Sequence, residues 1–99
     1  MLHKEEIIAY LQKQKQQIRQ QYLIERLGLF GSYASDEQSE ESDIDLLIEF
    51  CPNTSDISKR KKELRKQLED VFGKNIDLHR EKYLKPYCRE QILEEVLYV

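Results

Sequence analysis

The apolar positions of this chain change period several times, and each change marks an element. Ile7, Ile8, Leu11, Ile18 and Tyr22 recur at helical spacing among Gln and Lys, which predicts a helix over about Lys4 to Tyr22. Leu27-Gly28-Leu29-Phe30 is a short apolar run ending on Gly31-Ser32, the pattern of a strand meeting a turn. Ile44 to Phe50 is the strongest strand, closed by Cys51-Pro52-Asn53. Asp56 to Phe72 reads as a second helix with Ile57, Leu64, Leu68 and Val71 on one face and Gly73 as its stop. Asn75 to His79 is a third short strand, and Pro86 opens a last helix carrying Tyr87, Ile92, Leu93 and Val96. This order predicts an α/β (α+β) fold, a small three-stranded sheet flanked by helices. No repeat or linker interrupts it, so residues 1–99 read as a single domain.

Composition narrows the function classes. Apolar residues are 39% and charged residues 35% of the 99, enough for one small core. No apolar run approaches the roughly 20 residues that span a bilayer, and Met-Leu-His-Lys-Glu-Glu lacks the layout of a signal peptide. Two cysteines, Cys51 and Cys88, make no disulfide framework, and a cytoplasmic setting is expected. The net charge of −3 argues against membrane or direct nucleic-acid binding driven by bulk charge. The charge is unevenly spread, however. Leu27 to Ser58 contains no Lys or Arg, whereas Lys59 to Lys66 carries six positive charges in eight residues. That reads either as a cation site beside an anion-attracting face or as two solvated surfaces of opposite sign.

Three features carry candidate chemistry. Gly31-Ser32 ends one strand, Asp43-Ile44-Asp45 opens the next, and Asp77 sits between Ile76 and Leu78 in the last. Side chains at i and i+2 of a strand share a face, so Asp43 and Asp45 are expected to project together. Carboxylates that close repel unless a cation lies between them, and hard oxygen ligands suit Mg²⁺. If the third strand lies beside the second, Asp77 completes a three-carboxylate site able to hold the two divalent ions of phosphoryl or nucleotidyl transfer. Gly31 would let backbone approach a phosphate, and Ser32 would add a hydroxyl and an N–H. Taken singly, a Gly-Ser pair is a turn and an Asp-x-Asp is a solvated strand start. Charged residues inside apolar strands give the set its weight. His79 shares a face with Asp77, and its simplest reading is a surface histidine.

Leu29-Phe30-Gly31-Ser32-Tyr33-Ala34 followed by Ser42-Asp43-Ile44-Asp45-Leu46-Leu47-Ile48 resembles the signature of the DNA polymerase β-like nucleotidyltransferases. With Ile76-Asp77-Leu78 and the segment from Leu84 to Val96, the chain is similar to the minimal nucleotidyltransferase (MNT) antitoxins commonly encoded beside HEPN-domain toxins. The resemblance implies the nucleotidyltransferase fold, ATP as nucleotide donor and two Mg²⁺ ions. It implies that Gly31 and Ser32 hold the triphosphate and that Asp43 and Asp45 bind both metals. Asp77 would bind the catalytic metal and help deprotonate the acceptor, while Phe30 and Tyr33 pack. The chain departs from the family in one place, with Ser35-Asp36 where members carry Arg-Gly. An arginine there could grip phosphate bidentately, whereas an aspartate repels it.

Two readings follow. In one, the protein is an enzyme that transfers AMP from ATP to a tyrosine of a HEPN-type partner toxin, which docks on apolar surface such as Tyr87, Leu97, Tyr98 and Val99. In the other, it is a catalytically weak antitoxin that binds and occludes the toxin. A small-molecule nucleotidyltransferase is a third option, less favoured because little chain is left to enclose an acceptor.

Overall fold

The computed structural model describes residues 1–99. The predicted N-terminal helix is two helices, α1 (Lys4–Lys13) and α2 (Lys15–Tyr22), jointed at Gln14. The joint lets Ile7 and Leu11 of α1 and Ile18 and Tyr22 of α2 all reach the core. Next come β1 (Ile24–Phe30), β2 (Ile44–Phe50), α3 (Ile57–Phe72) and β3 (Ile76–His79). A 3₁₀ turn (Glu81–Tyr83), α4 (Pro86–Glu95) and β4 (Leu97–Tyr98) complete the chain. Gly73 ends α3 in the left-handed conformation at φ 64°, as a C-terminal stop requires. No helix is long and apolar enough to cross a membrane.

The sheet has four strands rather than three, in the order β3-β2-β1-β4. The extra strand is the C-terminal tail, which pairs antiparallel with β1 through Gly28↔Tyr98 and Leu29↔Leu97. Val99 N–H extends the pairing by donating to Leu27 C=O at 2.9 Å. Gly28 makes this approach possible: a Cβ there would lie 2.6 Å from Val96 Cγ2 and 2.9 Å from Tyr98 Cδ1. Leu97 and Tyr98 are thus paired as an edge strand while their side chains stay exposed, at 37% and 45%. β1 and β2 run antiparallel, whereas β2 and β3 run parallel, with α3 as the crossover.

The strand pleat divides this sheet into two unlike faces. On one, Leu27, Leu29, Ile44, Leu46, Ile48, Ile76 and Leu78 join residues of α1, α2 and α3 in a single buried core. From α3 the inward row is Leu64, Leu68 and Phe72, spaced by four, with Phe72 edge-on to Tyr10 at 5.3 Å. Val71 lies off that row and is exposed, contrary to the expected helix face. The other face carries Phe30, Asp45, Leu47, Glu49, Asp77 and His79, with Phe30 and Leu47 buried but outside the main core. Tyr87 of α4 is 83% exposed, so the last helix buries a smaller apolar face than its sequence suggested.

Two core tyrosines differ in how their hydroxyls are satisfied. Tyr22 donates to Gln67 Oε1 at 2.6 Å, whereas the buried Tyr33 hydroxyl has no partner. Burial raises both phenol pKa values above the usual 10, with Glu63 adding to the shift at Tyr22 and Glu40 and Asp43 at Tyr33. A raised folded-state pKa means stability is intact below about pH 10 and is lost as pH climbs through the folded values. Tyr33→Phe is expected to leave stability unchanged or raise it by up to ~1 kcal/mol and to blunt the alkaline loss. Tyr22→Phe should cost about 0.5–1.5 kcal/mol. Urea titrations at neutral pH and above pH 10 check both; a larger loss for Tyr33→Phe than for Tyr22→Phe would contradict this account.

Candidate active site

The parallel register of β2 and β3 sets Asp45 directly beside Asp77, and Leu47 beside His79. Pairing and pleat together send Asp45, Asp77 and His79 to the same face. One ligand-capable atom from each lies within 4.8 Å of the other two. His79 Nε2 is 3.5 Å from Asp45 Oδ1. It is shielded from solvent yet makes no hydrogen bond. On the other side of Asp45, its β1 partner Phe30 meets the His79 ring edge-on, with centroids 5.2 Å apart.

The acidic residues of this face are not equally compensated. Glu49 is 3.5 Å from the Arg80 guanidinium and accepts the Glu81 N–H at 3.0 Å. Arg26 and Arg89 both pair with Glu81, at 3.3 and 2.8 Å. Asp45 and Asp77 have no Lys or Arg partner, and His79 is the sole basic group against them. Two carboxylates this close repel by roughly 1–4 kcal/mol, between the values for bulk water and for a protein surface. A divalent cation relieves that repulsion, and two carboxylate oxygens with an unpartnered imidazole nitrogen are a fitting donor set.

Of the residues singled out in sequence, the structure brings together Asp45, Asp77 and Gly31. Gly31 stands at φ 79°, and a Cβ on it would lie 2.5 Å from Asp45 Oδ2. Its bareness thus makes room for a carboxylate, a reason distinct from the phosphate approach expected. Gly31 C=O accepts from Ala34 and Ser35 N–H at 3.1 and 3.2 Å, and Ser32 C=O accepts from Glu37 N–H at 2.9 Å. These bonds hold a tight turn that presents the Ser32 hydroxyl. Asp43 is exposed, just before β2, and is not among the groups within 4.8 Å. His79, read from sequence as a surface residue, is the third member of the group. The same i+2 spacing that grouped Asp43 with Asp45 also joins His79 to Asp77.

Two charge effects differ from expectation. Asp36, at φ 59°, turns away from the cluster and pairs with Lys4 Nζ at 2.9 Å. That hydrogen bond and its charge raise the Lys4 pKa. A left-handed backbone at this position is the conformation a glycine would supply. The Ser35 hydroxyl bonds back to Gly31 and Ser32 carbonyls, each at 3.3 Å. The basic run from Lys59 to Lys66 belongs to α3, whose Leu64 and Leu68 face the opposite side of the sheet. It therefore cannot offset Asp45 and Asp77. Lys85 lines a mostly apolar recess of about 230 Å³ together with Phe30, His79, Tyr83, Cys88 and Ile92.

Comparison with known proteins gives this geometry its context. A relative in Methanocaldococcus jannaschii, MJ1379, which bears the name of a protein adenylyltransferase, is 39% identical over 95% of each chain. The protein adenylyltransferase MntA of Thermococcus cleftensis is 36% identical over 100% of this chain and 98% of its own. Among solved structures, one described as a minimal nucleotidyltransferase superposes with TM-score 0.78 at 29% identity, covering 97% of this chain and 95% of that one. A toxin–antitoxin MntA–HpeT structure matches in fold with TM-score 0.61 at 20% identity, over 98% of this chain and 71% of that one. The nucleotidyltransferase domain family matches residues 11–99, a span that contains β1 to β4 and the whole cluster, and the chain belongs to that family.

Proposed function

We propose that this protein is a divalent-metal-dependent adenylyltransferase serving as the antitoxin of a toxin–antitoxin pair, with AMP passing from ATP to a tyrosine of a HEPN-type toxin. The observation that carries the reading is the uncompensated pair Asp45–Asp77 beside the Gly31–Ser32 turn. Relatives named as protein adenylyltransferases support the acceptor class, the MntA–HpeT fold match supports the partner class, and a related fold described with AMP-PNP supports the donor.

In this reading Asp45 and Asp77 would hold the catalytic divalent ion, and Asp43, two residues along the chain, would add a ligand for a second ion. The bound ions supply phosphate charge neutralisation and acidify the acceptor hydroxyl. The Ser32 hydroxyl and the Gly31 turn receive the triphosphate, through one hydroxyl and close-lying backbone. The tyrosine oxygen bonds to the α-phosphorus as the bond to the pyrophosphate oxygen breaks, and an Asp77 oxygen takes the phenolic proton. Acceptor choice comes from docking, because the cleft offers positioning for a hydroxyl and little enclosure.

Three results test this. The double variant Asp43→Asn/Asp45→Asn should lose the thermal stabilisation that Mg²⁺ or Mn²⁺ confers, while melting no lower than wild type without metal. Equal metal stabilisation in both proteins would contradict the site.

Gly31→Ala combines a left-handed backbone, which costs a residue with a Cβ roughly 1–2 kcal/mol, with displacement of Asp45. It should therefore lower stability and metal affinity together. An unchanged metal affinity would separate the turn from the carboxylate.

Incubation with ATP, Mg²⁺ and the partner toxin should raise the toxin mass by one AMP on a tyrosine. Asp77→Asn should still bind the toxin but leave its mass unchanged. The second reading, occlusion, is favoured by the missing arginine at Ser35. It would stand if wild type and Asp77→Asn neutralised the toxin equally with no mass change.

A further inference from the structure

We propose that His79 is a direct metal ligand and that it shifts the site from a pure carboxylate set, suited to Mg²⁺, to a mixed nitrogen and oxygen set that favours a first-row transition ion such as Mn²⁺ over Mg²⁺. The inference deepens the metal-dependent reading above and rests on it. Its ground is the placement of one atom. Nε2 of His79 is shielded from water, lacks a hydrogen-bond partner, and stands 3.5 Å from Asp45 Oδ1. Together with an oxygen of Asp77 these atoms fall within 4.8 Å of one another, close enough to share one ion.

Three features of the fold hold the ring in that position. The β2–β3 register puts Asp77 and His79 on the same face, with Asp45 opposite the first and diagonal to the second. Phe30, opposite Asp45 on β1, buttresses the imidazole edge-on at 5.2 Å. The backbone of β3 is fixed on its other side by the core residues Ile76 and Leu78. Packing alone does not require a nitrogen turned toward two carboxylates, at 3.5 Å from Asp45 Oδ1 and with no hydrogen bond to either. Nε2 itself is enclosed although the side chain is 39% exposed, and a cation shared with Asp45 and Asp77 would give this nitrogen a partner.

Imidazole nitrogen is a softer donor than carboxylate oxygen. It binds first-row transition ions well and contributes little to Mg²⁺, which keeps to oxygen ligands and water. Two carboxylates alone would leave the choice of ion to abundance. Adding His79 favours Mn²⁺ over Mg²⁺ without closing the site, since three protein donors leave positions for phosphate oxygens. His79 thus acts as a specificity-determining ligand.

The test is pulsed electron paramagnetic resonance of the full chain loaded with Mn²⁺ alone, with no nucleotide and no turnover. Wild type should show nitrogen modulation that changes when the protein is labelled with ¹⁵N-histidine, a result that needs no substitution and so no assumption about folding. His79→Gln should abolish the modulation and weaken Mn²⁺ binding about tenfold or more, with Mg²⁺ binding, read by displacement, changed far less. Mn²⁺ bound without histidine modulation would overturn the assignment and leave the carboxylate site standing. Failure of both Mn²⁺ and Mg²⁺ to bind would overturn the metal-dependent reading itself, and the assignment with it.

Discussion

Two carboxylates on adjacent parallel strands, in direct register and without a Lys or Arg between them, are the constraint around which the site is arranged. Asp45 and Asp77 are not placed together by any local preference; the hydrogen-bond ladder of β2 and β3 forces them there. Their repulsion is tolerated because both keep partial contact with solvent and because the hydrophobic contacts behind them are made on the opposite face. The core thus supplies the free energy that holds a locally unfavourable charge pair in place, as is common where strain or repulsion serves function.

The neighbours of that pair are chosen by space as much as by chemistry. Gly31 is bare because Asp45 occupies the volume where its Cβ would be. Phe30, paired with Asp45 across β1 and β2, meets the His79 ring edge-on. Farther along the same face Glu49 is fully engaged by Arg80 and the Glu81 amide. The charged residues of one face thus divide into a compensated end and an uncompensated end, and binding of a cation belongs to the second.

The C-terminal strand closes the free edge of β1, which would otherwise offer unpaired backbone groups to another chain. It does so with two residues, held by Gly28 and by the Val99 amide. Tyr83, Tyr87 and Tyr98 remain exposed, the first two within 6 Å of a lysine ammonium and Tyr98 under the Arg26 guanidinium at 5.8 Å.

Much of the fold was legible in local patterns: β2 and α3 fall within a residue of where hydrophobic period and stop signals put them. Gly31, Asp45 and Asp77 were legible as candidates because a glycine after a strand and charges within apolar strands are unusual in themselves. The period could not report the joint at Gln14, since both halves keep the same spacing, nor a two-residue strand such as β4, which has no period. Tertiary structure decided the rest. That His79 joins Asp45 and Asp77 depends on the register between β2 and β3, segments far apart in sequence. Whether Asp36 opposes a phosphate or meets Lys4 depends on where α1 docks. The side of the sheet on which the basic run of α3 lies is set by the packing of Leu64 and Leu68. Each is a relation between segments, and a charge or a spacing within one segment carries no information about the partner across the gap.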